Sequence, residues 1–308
     1  MKNAFTPCCR IASASLIALA TLNASATLVF QADFNGPGAG TGGVSDIVAL
    51  GGTGVLANVA PKISNMVVSV SSLTALGTGT GSYLSLNDQG AQSGTRAAGV
   101  EFKPASAANS FDSWYADTSA TLGYDKLNGG FDFLFRTSGG KALIKDTVRF
   151  VDVGVSGVPY RLALSSTDGD KLSLSLNQNG TNIARATSAA VSLSANITYR
   201  IAGTVSTNTS GFVTVNLYLA KANAAIDTSS PAQRIATSTS VVKLDAGNGI
   251  SGAFGTAGGF SFGMMSNVDA DTKTLDLDSF RIYAAVPASF DANSIPEPGT
   301  LARGAGGR

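Results

Sequence analysis

The chain contains no histidine. That absence removes imidazole acid–base chemistry, the Ser-His-Asp triad and most transition-metal sites. Glutamate is almost missing too: Glu101 and Glu297 are the only two. The two cysteines, Cys8 and Cys9, are adjacent and close to the N-terminus. A chain processed beyond them has neither a thiol nor a disulfide. Charged residues make up 13% of the 308, and no Lys/Arg-rich run occurs. The net charge is +1, and a field of that size draws neither nucleic acid nor an anionic membrane. What remains is apolar (44%) and rich in glycine, with 36 residues. That composition excludes a disordered chain and suits many strands joined by tight turns. The length allows one large or two ordinary domains, and β-sandwiches often exceed 200 residues as one.

Residues 1–26 read as a secretory signal peptide. Lys2 and Arg10 form a positive start, residues 11–22 (IASASLIALATL) an apolar stretch, and Ala24-Ser25-Ala26 a small-x-small cleavage pattern. Cleavage is expected between Ala26 and Thr27. Removing Lys2 and Arg10 leaves 19 basic against 20 acidic residues, a mature charge of −1. At the other end the chain reads Ser294-Ile295-Pro296-Glu297-Pro298-Gly299-Thr300-Leu301-Ala302. This resembles the PEP-CTERM sorting signal of exopolysaccharide-producing Gram-negative bacteria, with Pro296, Glu297 and Pro298 as the motif. The resemblance implies export to the cell surface and an exosortase partner. In that family an apolar membrane segment follows the motif, whereas here Arg303-Gly304-Ala305-Gly306-Gly307-Arg308 follows at once. The expectation is a truncated or degenerate signal and a mature form that does not span the membrane, because a spanning helix needs about 20 apolar residues.

Between these ends a period of two recurs. Leu28, Phe30, Ala32 and Phe34 alternate with Val29, Gln31 and Asp33. Phe131, Phe133 and Phe135 alternate with Asp132, Leu134 and Arg136; Leu172, Leu174 and Leu176 alternate with serines. Leu84/Leu86, Val100/Phe102, Leu162/Leu164, Ile197/Tyr199/Ile201, Val213/Val215/Leu217/Leu219 and Phe260/Phe262/Met264 repeat the pattern. Such alternation sets one face of each strand on a core and one away from it. Turn chemistry separates the runs: Asn128-Gly129-Gly130, Ser138-Gly139-Gly140, Asp168-Gly169, Asn179-Gly180, Ser210-Gly211 and Asn248-Gly249. Residues 36–54 read as a long Gly-rich loop and 221–234 as a loop or one short helix. About a dozen strands with no dividing linker predict one domain of two packed antiparallel sheets over 27–284, then a tail over 285–308.

The opening Val29-Phe30-Gln31-Ala32-Asp33-Phe34-Asn35-Gly36 and the closing Leu275-Asp276-Leu277-Asp278-Ser279-Phe280-Arg281-Ile282-Tyr283 resemble the first and last strands of concanavalin A-like (laminin-G-like) jelly rolls. The resemblance implies an all-β, two-sheet antiparallel jelly-roll sandwich. It also implies that the first and last strands lie side by side.

The residues bear on three chemistries. Retaining glycoside hydrolysis needs two carboxylates about 5–5.5 Å apart. Glucanases of this fold take them from a Glu-x-Asp-x-x-Glu strand, and Glu101 has no acidic neighbour at that spacing. The expectation is therefore a non-catalytic protein. Calcium is suggested by Asn267, Asp269 and Asp271, spaced as the first oxygens of a calcium loop, with Asp278 twelfth and Asp276 nearby. A polar hairpin loop explains the same residues. Glycan stacking is suggested by Trp114 and Tyr115 beside Asp112 and Asp117, though a packed loop anchor has the same composition. Together these predict an exported structural or adhesive protein of the bacterial surface or extracellular polysaccharide matrix that binds glycans. The alternatives are a glycan-active enzyme or a dedicated carbohydrate-binding module.

Overall fold

The computed structural model describes residues 26, 28–32, 47–49, 55–59, 66–71, 76, 83–88, 96–103, 128–138, 148–153, 159–167, 171–178, 181–221, 224–241, 243, 259–266, 273–283 and 285–291. Every element among them is a strand. The first nine are β1 (Leu28–Ala32), β2 (Ile47–Ala49), β3 (Val55–Val59), β4 (Met66–Ser71), β5 (Tyr83–Asp88), β6 (Arg96–Lys103), β7 (Gly129–Thr137), β8 (Val148–Val153) and β9 (Pro159–Thr167). The rest are β10 (Lys171–Gln178), β11 (Thr181–Ala190), β12 (Thr198–Thr207), β13 (Val213–Lys221), β14 (Ile226–Asp227), β15 (Arg234–Thr239), β16 (Gly259–Ser266), β17 (Lys273–Tyr283) and β18 (Ser289–Phe290).

They form two large antiparallel sheets. A nine-stranded sheet runs β15-β13-β12-β7-β17-β1-β2, with β5 and β4 continuing beyond β17 beside β1. A seven-stranded sheet runs β11-β10-β9-β8-β16-β6-β3, and β14 pairs only with β18. The fold is thus the expected all-β jelly-roll sandwich. The first and last long strands do lie together: Phe30 faces Ile282 and Ala32 faces Phe280.

The alternation read from the sequence fills the space between the sheets. Phe131, Phe133, Phe135, Ile201, Val215 and Leu217 of the larger sheet are buried, as are Leu162, Leu164, Leu172, Leu174 and Leu176 of the smaller. Each such side chain stabilises the fold by about 1.5–3 kcal/mol relative to exposure. The sheets meet closely at Gly203. A Cβ there would lie 2.5 Å from the Phe131 ring and 3.0 Å from Leu174 Cδ2.

Turn chemistry explains two of the hairpins. β10 and β11 pair antiparallel up to Gln178 and Thr181, as the Asn-Gly signal between them predicts. At Ser210-Gly211 the Asn208 side chain accepts from the amides of Ser210 (2.9 Å) and Phe212 (3.0 Å). Gly211 there takes a φ of 84° that only glycine adopts freely.

Three expectations differ from the structure, and the loop-or-helix alternative for 221–234 resolves without a helix among the described residues. Asn128-Gly129-Gly130 is not a reversal, because Gly129 and Gly130 begin β7. Ile197 is exposed and precedes β12, since Asn196 holds a positive φ of 61° just before the strand starts. Residues 224–234 hold β14 and turns. β2 lies inside the Gly-rich stretch 36–54. Within 285–308, β18 pairs with β14, and its Phe290 packs with Ala202, Tyr218 and Tyr283 of the larger sheet.

Candidate functional site

The face of the larger sheet that points away from the smaller one is polar. The phase of each strand dictates this. Where Phe131, Phe133 and Phe135 point inward, Asp132 and Arg136 point outward, and the pairing brings Ala202 beside Asp132 and Asp276 beside Arg136. β17 needs one more device to match. Its residues Asp278 and Arg281 sit opposite Leu134 and Asp132 of β7, so β17 carries one extra residue, a β-bulge, with Ser279 at φ 52°. Asp276 and Asp278 face outward by alternation before the bulge, and the bulge adds Arg281 to that face while Leu275, Leu277, Phe280 and Ile282 are buried. Phe280 meets Phe133 edge-on at 6.2 Å.

Two clusters occupy this face. The first is partly open and joins β5, β17 and β7. Arg136 donates from Nε (3.0 Å) and Nη2 (2.7 Å) to Asp276 Oδ2, and Ser85 Oγ donates to Asp276 Oδ1 at 2.8 Å. The Arg136 guanidinium lies 5.1 Å from the centre of the Tyr83 ring. Its side chain keeps 28% exposure and that of Asp276 keeps 10%. Burial works to lower the Arg136 pKa, but hydrogen bonding and charge attraction from Asp276, then from Tyr83, hold it above the ordinary value. Beside this cluster, Asp278 is buried and accepts from the Leu76 amide (3.2 Å) and the Ser279 amide (2.7 Å).

The second cluster is closed. Arg281 grips Asp132 with two donors, Nε to Oδ1 at 2.9 Å and Nη2 to Oδ2, and Arg200 Nη1 reaches Oδ2 at 2.5 Å. Asp132 is 0% exposed, Arg281 1% and Arg200 2%. Two guanidinium groups share one carboxylate, and Arg200 Nε meets no hydrogen-bond acceptor among the described residues. Burial would lower the Arg281 pKa, yet the charges of Asp132, Tyr283 and Asp291 raise it. A lid covers this cluster. Ile226, Phe290, Tyr218, Tyr283 and Ala202 form a separate apolar cluster, with Ala26 and Leu28 packed against it. Thr228 Oγ1 ties the lid with bonds to the Pro287 carbonyl (2.8 Å) and the Ala288 carbonyl (2.9 Å).

The residues proposed from sequence fall mostly elsewhere. Trp114, Tyr115, Asn267, Asp269, Asp271, Thr27, Pro296, Glu297 and Pro298 lie outside the described residues. Ala26 is half-buried beside the lid. Asp276 and Asp278, read as neighbours of a calcium loop, are engaged by Arg136, Ser85 and backbone amides. Among the described residues no three metal-ligating side chains come together. The sequence reading missed Arg136, Arg200 and Arg281. A signal was present: in a chain with 13% charge, six charges occupy the polar phase of three strands that turn out to be neighbours.

No family model matches the chain, and no curated protein is similar to it. Solved structures similar to it include the endo-β-1,4-glucuronan lyase of the fungus Trichoderma reesei, at 11% identity over 84% of this chain and 96% of that one, with a TM-score of 0.43. The PL-14 alginate lyase of Aplysia kurodai is similar at 10% identity, over 84% of this chain and 100% of that one, TM-score 0.43. Botulinum neurotoxin type C, whose cell entry depends on two ganglioside molecules, is similar at 13% identity over 87% of this chain and 50% of that one, TM-score 0.42. Two of these structures are enzymes, and the expectation of a non-catalytic protein is corrected, because the shortage of glutamate excludes only the paired-carboxylate route. Tyrosine and lysine also serve as acids and bases, and arginine also stabilises developing charge. Among the described residues no helix is long and apolar enough to cross a membrane.

Proposed function

We propose that this chain is an exported glycan-recognising protein that meets its ligand on the outer face of the larger sheet. One observation carries the reading: Tyr83, Ser85, Arg136 and Asp276 set an aromatic ring, a guanidinium, a hydroxyl and a carboxylate side by side on rigid strands, partly open to water. Sugars are bound in this way, by a ring face for the pyranose and fixed polar groups for its hydroxyls or carboxylate. Export rests on the N-terminal segment with Ala26-Thr27 as the cleaved bond. Delivery to the surface, with an exosortase as partner, rests on Pro296-Glu297-Pro298. Calcium at Asn267, Asp269 and Asp271 and stacking on Trp114 and Tyr115 belong to the same proposal.

The test is binding of an array of neutral and acidic oligosaccharides to the parent, Arg136→Ala and Tyr83→Ala. Loss of roughly tenfold or more in affinity, about 1.4 kcal/mol, with circular dichroism unchanged, is the expected outcome. Equal binding by all three proteins removes this face from the proposal.

A second reading is favoured by the same contact. A tyrosine against an arginine is a pair suited to elimination: the Tyr83 oxygen takes the proton beside the uronate carboxylate, the Arg136 guanidinium holds the developing charge, the glycosidic C–O bond breaks as the double bond forms, and the tyrosine returns the proton to the departing oxygen. Elimination from a uronate polymer would appear as ultraviolet absorbance from the new conjugated double bond. A flat trace over prolonged incubation with uronate polymers would exclude it.

A further inference from the structure

The closed half of the outer face is built like a binding site that already has an occupant. Its floor is small and aromatic: Gly130, Ala202, Tyr218 and Tyr283. Glycine inside a strand weakens the strand and marks a close approach. Here the approach comes from residues 285–291. A Cβ on Gly130 would lie 3.1 Å from Phe290 Cζ and 3.2 Å from Pro287 Cδ. The Phe290 ring meets Tyr283 edge-on at 5.5 Å. Next to it the Asp291 carbonyl accepts from Arg281 Nη1 at 2.6 Å. The segment therefore presents a six-membered ring followed by a carboxylate-bearing residue, the two features of a uronic acid unit. Beneath it, the guanidinium groups of Arg281 and Arg200 share the carboxylate of Asp132. The Asp291 charge acts on Arg281, and Arg200 Nε has no acceptor among the described residues although the residue is 2% exposed.

We infer that residues 285–291 are a built-in occupant of a uronate-binding site formed by Arg281, Arg200, Tyr283 and Tyr218, and that an acidic polysaccharide displaces them. The inference rests on the reading that this face takes glycans, and it names their class and a control on their access. The lid is held by few polar bonds: Thr228 to Pro287 and Ala288, the Thr228 amide to the Ala288 carbonyl at 3.0 Å, and Arg281 to Asp291. Ligand affinity is divided by the fraction of molecules whose lid is open. A lid open less than about a tenth of the time costs at least about tenfold in apparent affinity.

The experiment uses the full chain, tetragalacturonate as probe and cellotetraose as neutral control. Phe290→Ala should tighten tetragalacturonate binding about tenfold or more and leave cellotetraose unchanged. In the parent, saturating tetragalacturonate should speed hydrogen exchange at the Thr228 amide, because the ligand replaces the carbonyl it donates to. This second measurement stands if Phe290→Ala fails to fold. Unchanged affinity in a folded Phe290→Ala protein, or a Thr228 amide as protected with ligand as without, overturns the inference. If Arg136→Ala abolishes binding in that case, the glycan reading survives alone. Absence of tetragalacturonate binding in both parent and Phe290→Ala overturns the uronate site, while the oligosaccharide array still judges the broader reading.

Discussion

Asp132 holds two guanidinium groups in a place that water does not reach. Removing its charge leaves both uncompensated, and breaking a buried pair in this way costs about 3–5 kcal/mol. Asp132→Asn should therefore lower the urea midpoint steeply. Asp276→Asn, whose partner Arg136 is more than a quarter exposed, should cost about 1 kcal/mol or less because solvent screens that pair. Equal losses for the two would refute the contrast. Gly203 is constrained by sterics instead. A methyl group there meets the Phe131 ring at 2.5 Å and Leu174 at 3.0 Å, so Gly203→Ala should destabilise by about 1–3 kcal/mol through overpacking. Thermal unfolding measures this directly. Of these three residues, Asp132 stood out in the sequence as an acid between phenylalanines and Asp276 as a neighbour of the calcium-loop pattern, whereas Gly203 did not. The Asp132 partners Arg200 and Arg281 are 68 and 149 residues away, and no local rule joins such distances.

Among the elements, strands with bulky alternation were legible and those without it were not. β10 announces itself through Leu172, Leu174 and Leu176. β11, with the sequence TNIARATSAA, carries little apolar volume and becomes a strand because its backbone pairs with β10. Ala184 and Ala186 are then buried by position rather than by size. The lid is the element whose behaviour is most open to measurement. Tyr218 lies beneath it, buried, with its hydroxyl donating to the Thr228 carbonyl at 3.1 Å. Burial pushes its pKa above the ordinary tyrosine value of 10.0. A raised folded-state pKa means stability that is complete below the unfolded value and lost as pH climbs through the folded one. Stability should thus decline above about pH 10, and Tyr218→Phe should lessen the decline. An unaltered alkaline profile in Tyr218→Phe would show that other groups set it.

For the whole molecule, the two ends of the described chain converge on one place. Ala26 and Leu28 pack on the same apolar cluster as Phe290. Cleavage between Ala26 and Thr27 would take Ala26 out of that cluster and leave Leu28. The mass of the protein recovered from an exporting cell should correspond to an N-terminus at Thr27. A mass that retains residues 1–26 would remove the signal-peptide reading. The sequence alone determined the fold class, because a period of two, repeated with turn residues between, has few solutions other than packed antiparallel sheets. The resemblance of its two ends to jelly-roll strands implied that the first and last long strands lie together, and the pairing of Phe30 with Ile282 agrees. The tertiary structure decided which charges meet. That depended on a single extra residue at Ser279, which shifts β17 so that Phe280 and Ile282 enter the core and Arg281 joins Asp132 outside it. Strict alternation would have sent Arg281 inward, because a one-residue change of phase reverses every side chain beyond it. The closed cluster of Arg281 with Asp132 exists through that shift, and only the pairing with β7 makes it visible.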